Sequence, residues 1–394
     1  MTKVFLVCSG LGRINRGYET FTQECFDALA GAPELNLTLF KGGGTAAEKQ
    51  QVLWNLPRLH APALRLGKIL GKDGYLVEQM TFGIALLPHL LRQNPDVVYF
   101  SDISLGKMLW HWRRVSRTKF VLLFRNGVPM KPPYPLWDLT QQLVQVHQEA
   151  ALAAGHPPHS QVLLPPGIAI APELDTPTAE NRAALHRTLG LPENRPLILS
   201  VGAVNKNLKR MDYVVREVAA LPEPRPFLLM LGQEDEETPE IRTLASAALG
   251  PHGYEIRTVP SAEVKQYYQA ADIFVLATRL EGFGRAYVEA LSWGLPCLAH
   301  DSPLTRDIVG ADGLLADFEQ PGTLTGLLTA ALAEGYDIAA RRRRHRNAFH
   351  RFSWQEIRPQ YVAMFQRCAA LRVYAAPLAF LVHAACLAGF DPTA

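Results

Sequence analysis

Short apolar runs recur along this chain at the length of buried strands, separated by longer stretches with helical periodicity. Residues 4–8, 35–40, 97–100, 120–124 and 161–164 read as strands, with helices at 18–30, 75–91, 105–114 and 139–153 between them. Such alternation predicts a parallel sheet covered by helices on both faces. Leu164-Pro165-Pro166-Gly167-Ile168, followed by Pro172 and the polar residues 175–181, reads as a hinge or linker. Beyond it the alternation resumes, with strands at 197–201, 227–231, 255–259, 273–277 and 297–299 and helices at 211–221, 241–248, 264–270 and 285–293. The expected fold is α/β, with two Rossmann-like doubly wound domains facing a cleft. The expected boundaries are 1–168 for an acceptor-side domain, 169–352 for a donor-binding domain, and 353–394 for a helical tail folding back on the first domain. Ligands of such sheets bind at the carboxyl ends of the strands.

Composition narrows the class. A chain of 394 residues, 48% of them hydrophobic, is long enough for two cores. A net charge of +3 with no nucleic-acid motif argues against DNA or RNA partners. The five cysteines are scattered and contain no C-x-x-C pair, so neither a disulfide framework nor a zinc site is expected, and a reducing cytoplasm fits. Met1-Thr2-Lys3 runs straight into the first strand, which is too short for the apolar core of a signal peptide.

The chemistry concentrates in Glu281-Gly282-Phe283-Gly284-Arg285-Ala286-Tyr287-Val288-Glu289. A glycine-bearing turn that opens a helix presents backbone N–H groups and the positive end of the helix dipole to a phosphate. Glu289, about one turn into that helix, offers an acceptor-only carboxylate to the hydroxyls of a ribose. Glu281 would then face the group beyond the phosphates. The segment resembles the E-x7-E signature of retaining, GT-B-fold glycosyltransferases of family 4 (glycosyl transferases group 1). The resemblance implies that Glu281, Gly282, Phe283 and Gly284 lie against the transferred sugar, and that Glu289 holds the nucleotide ribose. Arg285 joins this donor-binding set.

Two further loops follow strand ends. After the first strand, Ser9 to Glu19 carries glycines at 10, 12 and 17 with Arg13 and Arg16. The spacing is not G-x-G-x-x-G, and Phe40-Lys41 ends the second strand where a dinucleotide fold needs an acid, which argues against nicotinamide binding. Arg16-Gly17-Tyr18-Glu19 instead resembles the family's glycine–glycine–x–glutamate loop, placing Gly17 near the donor phosphates or acceptor. The other loop runs from Gly202 to Asp212 and contains Lys206, Lys209 and Arg210, cations suited to the charge on a departing nucleoside diphosphate. The resemblance maps the family's catalytic lysine to Lys209. Ala203 occupies the position of the family's arginine, and Lys206 or Arg210 could compensate.

No D-x-D pair occurs in the chain, so no metal and no other cofactor is expected. His156 and His159 read as ordinary loop histidines. The implied reaction is sugar transfer from a nucleotide-diphosphate sugar to an acceptor hydroxyl with retention. Glu281 and Lys209 are expected to be catalytic, as is Asn126 in Phe124-Arg125-Asn126-Gly127, where the family often has a histidine. Arg125 and Asp102 are the other polar candidates at strand ends. The acceptor is open among glycan, lipid and small metabolite. Membrane contact is suggested by the tryptophans and arginines of residues 105–117 and by the uncharged run 373–390, which is read as folding back more readily than spanning. An epimerase or phosphorylase on the same fold, and a non-catalytic binding module, are the alternatives.

Overall fold

The computed structural model describes residues 1–14, 16–127, 130–132, 134, 136–175 and 179–371. The apolar run 373–390 lies outside the described residues. The chain divides into two compact units. Among the described residues, the first comprises Met1–Leu143, His147–Leu164 and 358–371; the second comprises Val144–Val146 and Pro165–Ile357.

The first unit is built on seven parallel strands: β1 (Thr2–Cys8), β2 (Leu35–Lys41), β3 (Gln50–Val52), β4 (Val97–Phe100), β5 (Val121–Arg125), β6 (Leu139–Gln142) and β7 (Gln161–Leu163). Their order is β3-β2-β1-β4-β5-β6-β7, which reverses direction between β1 and β4. Helices α1 (Gly17–Leu29), α2 (Ala61–Ile69), α3 (Gly74–Gln93), α4 (Ile103–Ser116) and α5 (Gln145–Ala153) connect them. Phe5, Val7, Val98 and Phe100 meet Phe82, Leu86 and Leu90 of α3 and Leu105 and Leu109 of α4 in one buried cluster.

The second unit has six parallel strands: β8 (Leu197–Val201), β9 (Phe227–Leu231), β10 (Tyr254–Arg257), β11 (Ile273–Leu276), β12 (Cys297–His300) and β13 (Gly313–Ala316). The order β10-β9-β8-β11-β12-β13 repeats the reversal, now between β8 and β11. Its helices are α6 (Ala179–Leu189), α7 (Met211–Ala219), α8 (Thr238–Leu249), α9 (Val264–Ala270), α10 (Arg285–Ser292), α11 (Pro303–Val309), α12 (Thr323–Glu334) and α13 (Ile338–Phe352); α14 (Trp354–Leu371) begins here. Where strand order reverses, the two flanking loops diverge and leave room for a ligand.

Three expectations change. Residues 139–153 are not one helix, because Leu139–Gln142 is a strand and only Gln145–Ala153 is helical. Thr140, Gln141 and Gln142 are buried, and the side-chain amides of the two glutamines are hydrogen-bonded within the first unit. Gln141 donates to the Leu164 carbonyl at 2.8 Å and to the Tyr361 hydroxyl at 2.9 Å, and Gln142 donates to Gln161 at 2.8 Å. A buried strand made of bonded amides carries no hydrophobic signature.

The expected hinge at 164–168 is packed. Ile168 exchanges backbone hydrogen bonds with Phe352 at 2.8 Å and Trp354 at 3.2 Å, and a Cβ on Gly167 would come within 2.2 Å of the Trp354 indole. From Arg358 onward, α14 packs in the first unit, with Phe365 edge-on to Tyr99 at 5.4 Å. The polar residues 175–181, read as linker, already enter α6 at Ala179.

Candidate active site

In the second unit, the loops after β8 and β11 leave the sheet where the strand order reverses. Their side chains meet: the Lys209 ammonium donates to a Glu281 carboxylate oxygen, and both side chains are largely buried. Two residues separated by 72 positions thus close one electrostatic contact at the switch point. The loop is shaped by Asn205, whose Oδ1 accepts from the backbone of Lys209 at 2.8 Å and Leu208 at 3.3 Å while its Nδ2 donates to Asp235 at 2.9 Å. Gly202 has φ +157, and a Cβ there would sit 3.2–3.4 Å from the methylenes of Lys209, so the lysine stem lies along the glycine backbone. Asn205 was not singled out in the sequence, where only its place between β8 and α7 could have marked it.

The two other cations of the loop are occupied elsewhere. Lys206 donates to Glu240 of α8 at 2.5 Å. Arg210 adopts a left-handed backbone, φ 53, as the residue before α7; its guanidinium lies 4.6 Å from the Tyr213 ring and pairs with Glu319 at 3.2 Å. Glu319 also pairs with Arg279, whose hydrogen bond, together with the nearby charge of Arg210, holds its carboxyl below the ordinary range.

Gly284, at φ +74, is the left-handed residue from which α10 starts, a conformation that favours glycine. A Cβ there would also meet the Tyr287 ring at 2.7 Å. The first N–H groups of α10 have no intrahelical acceptor and point back toward the Glu281–Gly284 turn. Phe283 turns inward, edge-on to Phe352 at 5.8 Å, so only its backbone remains for a ligand. Glu289 is held at both oxygens, by Arg285 Nε at 2.7 Å and the Tyr268 hydroxyl at 3.1 Å. Burial, and after it the Glu289 charge, pushes the Tyr268 phenol well above its ordinary value, so Tyr268 is a permanent donor. Tyr268 is a second residue that sequence reasoning missed, hidden in an ordinary amphipathic helix.

In the first unit, the loop after β1 and the end of β4 carry a buried polar cluster. Asp102 accepts from the Tyr75 hydroxyl at 2.5 Å and from Ser9 Oγ at 2.8 Å. Burial raises its carboxyl despite those bonds. Glu78 takes Arg58 through its backbone at 2.8 Å and its guanidinium at 2.5 Å; Glu19 pairs with Arg16 at 2.9 Å. Gly17 opens α1, and a Cβ built on it meets no atom within 4 Å.

Asn126, expected to be catalytic, is fully buried: its Nδ2 donates to Gln142 at 2.9 Å and Tyr134 at 3.3 Å, and its Oδ1 accepts from the Met130 backbone at 3.3 Å. Both donors are spent on the sheet and the following loop, which makes Asn126 a structural amide. Arg125 lies under the same loop with its guanidinium 4.0 Å from the Phe21 ring.

The residues read as a membrane-facing helix also have internal partners. Trp110 and Trp112 pack on the buried cluster of the first unit, and Arg113 pairs with Asp138. In the arginine-rich run of α13, Arg341 donates to the Ala271 carbonyl at 2.5 Å and Arg344 to that of Gly294 at 3.4 Å. Among the described residues, no helix is long and apolar enough to cross a membrane, and no group of three or more His, Cys, Asp or Glu side chains could hold a metal ion.

Residues 181–351, within the second unit, match the family model described as glycosyl transferases group 1. The chain is 32% identical over 209 residues to a D-inositol 3-phosphate glycosyltransferase of Xylanimonas cellulosilytica, covering 49% of this chain and 48% of the relative. It is 26% identical over 182 residues to an MMP alpha-(1->4)-mannosyltransferase of Mycolicibacterium hassiacum, covering 45% and 44%. The chain thus spans about half the length of the curated relatives it matches. Among solved structures, sucrose-phosphate synthase of Thermosynechococcus elongatus matches with a TM-score of 0.74 at 19% identity, over 94% of this chain and 100% of that one. Anabaena HepE in complex with UDP and glucose matches with a TM-score of 0.72 at 14% identity, over 93% and 100%. The fold is GT-B.

Proposed function

We propose that this protein is a glycosyltransferase that moves a sugar from a nucleotide-diphosphate sugar to an acceptor hydroxyl with retention of configuration. The observation that carries the reading is the Lys209–Glu281 contact at the switch point, in the turn that opens α10, the helix whose first turn leads to the braced Glu289. The matched family segment and the UDP and glucose seen in a structural neighbour support it. In this reading Lys209 and the α10 N-terminus take the charge that develops on the departing diphosphate, with Gly202 shaping the lysine's path. Glu281 and the Gly282–Gly284 backbone hold the sugar, and Glu289, oriented by Arg285 and Tyr268, holds the ribose. Lys206 and Arg210 act at longer range, through the field of the loop.

We assign donor binding to the second unit and acceptor binding to the first, with Gly17 at the ligand-facing loop. The acceptor class stays open among glycan, lipid and small metabolite; inositol phosphate, named for one relative, is the first acceptor to try, and a mannosyl donor, from the name of another, is among the first donors. No metal enters the scheme. The four described cysteines are free and buried, in keeping with a cytoplasmic enzyme.

The test is turnover of UDP-, GDP- and ADP-sugars in excess EDTA, with the product's anomeric configuration read by NMR. One donor should be consumed and its configuration retained. Glu289→Ala should weaken that donor's binding at least tenfold, as expected for losing hydrogen bonds to a charged group worth about 1.5–3 kcal/mol. Unchanged affinity would remove the ribose assignment.

Gly17→Ala separates function from packing. No protein atom lies near the added methyl, so stability should stay within about 1 kcal/mol of wild type. Turnover should fall about tenfold or more if that surface approaches substrate closely. Full activity in Gly17→Ala would place the ligand elsewhere.

A further inference from the structure

Helix α2 is inside out for a helix facing water. It buries only Ala63 and Gly67, one turn apart, and these small residues let it lie close to the start of α3: a Cβ on Gly67 would meet the Asp73 carbonyl at 2.7 Å. Its large apolar residues point outward instead. Ile69 is 79% exposed, with Leu64 and Leu66 also exposed, and the flanking Leu59 and Leu70 are 74% and 56% exposed. A surface helix ordinarily turns such residues to the core.

The patch extends beyond α2. Trp54, after β3, is 66% exposed, and Met80, Ile84 and Leu91 form an exposed stripe along α3. Its charge is one-sided. From residue 56 to residue 72 there are four basic residues and no acidic one. Arg58 is committed to Glu78, while Arg65, Lys68 and Lys72 are exposed among the leucines. The neighbouring Asp73 is occupied at the start of α3, where it accepts from the Leu76 backbone at 3.0 Å.

We infer that this face, formed by Trp54, α2 and the exposed edge of α3, docks on an anionic phospholipid surface. Exposed leucine and isoleucine interleaved with lysine and arginine fit the headgroup boundary, where apolar side chains enter the acyl region and cations meet lipid phosphates. Trp54 suits the same interface, with its apolar ring and polar N–H. A water-soluble protein partner would need acidic groups to match Arg65, Lys68 and Lys72 and would leave the outward leucines to a dry contact, whereas a bilayer satisfies both at once. The inference does not rest on the proposed reaction, since binding to lipid is read without turnover.

The test is flotation of the full-length protein with vesicles of phosphatidylglycerol and phosphatidylcholine in equal parts, and with phosphatidylcholine alone. The protein should float with the anionic vesicles, and binding should fall as salt rises. In the variant Arg65→Gln/Lys68→Gln/Lys72→Gln, partition should drop about fivefold per charge removed. In Leu66→Ser/Ile69→Ser it should drop at unchanged charge, and neither exposed set should alter thermal melting. Failure to float with anionic vesicles would overturn the inference and leave an acidic protein as the occupant. Binding that neither variant weakens would also overturn it, by placing the lipid contact elsewhere on the chain.

Discussion

Lys209→Gln should lower the rate of donor consumption by about a hundredfold to a thousandfold, the usual cost of removing one preorganised donor aimed at developing charge. The effect should fall mainly on kcat, because the charge on the leaving diphosphate grows in the transition state. Thermal stability should fall modestly, since the substitution leaves Glu281 without its cation but the pair keeps enough solvent contact for water to rehydrate the carboxylate. The neighbouring cations should not rescue the variant: Lys206 is drawn to Glu240 and Arg210 to Glu319. This prediction bears on Ala203 as well. With no arginine there, the loop has one cation aimed at the switch point, and Ala203→Arg is the natural gain-of-function partner experiment. A wild-type rate in Lys209→Gln would show that another group takes the charge.

Arg58→Ala should be the most damaging of these substitutions to stability. Arg58 fills a buried position at the switch point of the first unit, where Glu78 takes its backbone and guanidinium N–H groups and Glu19 lies 4.0 Å away. Both carboxylates are nearly sealed from solvent, and the Arg58 guanidinium also stacks 3.9 Å from the Tyr75 ring. Removing the cation leaves buried negative charge without its partner, which costs about 3–5 kcal/mol. The double variant Arg58→Ala/Glu78→Gln should recover part of that loss, because the charge left behind is then gone. Denaturant unfolding of the three proteins checks this. A loss under about 1 kcal/mol in Arg58→Ala would mean that water reaches the cluster and screens it.

The parts of this protein legible in its sequence are those encoded by apolar periodicity and by contiguous motifs. The strands β4, β9 and β11 are unbroken apolar runs, β1, β5 and β8 are nearly so and β2 alternates with leucine, and Glu281 to Glu289 lies on one turn and one helix, so spacing alone relates its residues. What was not legible depends on partners distant in sequence. The strand Leu139–Gln142 looked helical because the groups that satisfy its glutamines lie on other strands and on α14. Asn126 looked available because its acceptors, Gln142 and the Tyr134 hydroxyl, are not adjacent to it. Among three cations in one loop, the resemblance singled out Lys209 but left Lys206 and Arg210 able to compensate. Folding separates them, since only Lys209 has its stem laid along Gly202 and its ammonium turned to Glu281. The tryptophans of α4, read as lipid-facing or core-packed, lie partly buried against the cluster of the first unit, while the outward leucines around α2 became visible only once Ala63 and Gly67 were seen to be its buried side.

The central claim is that the switch point of the second unit is a nucleotide-sugar site, and calorimetric titration of the wild-type protein with UDP, GDP and ADP tests it most directly, beside Glu289→Ala. The account predicts that one nucleotide binds the wild type in the absence of metal and that the substitution removes most of that affinity. Failure of all three to bind, or equal binding to both proteins, would contradict it.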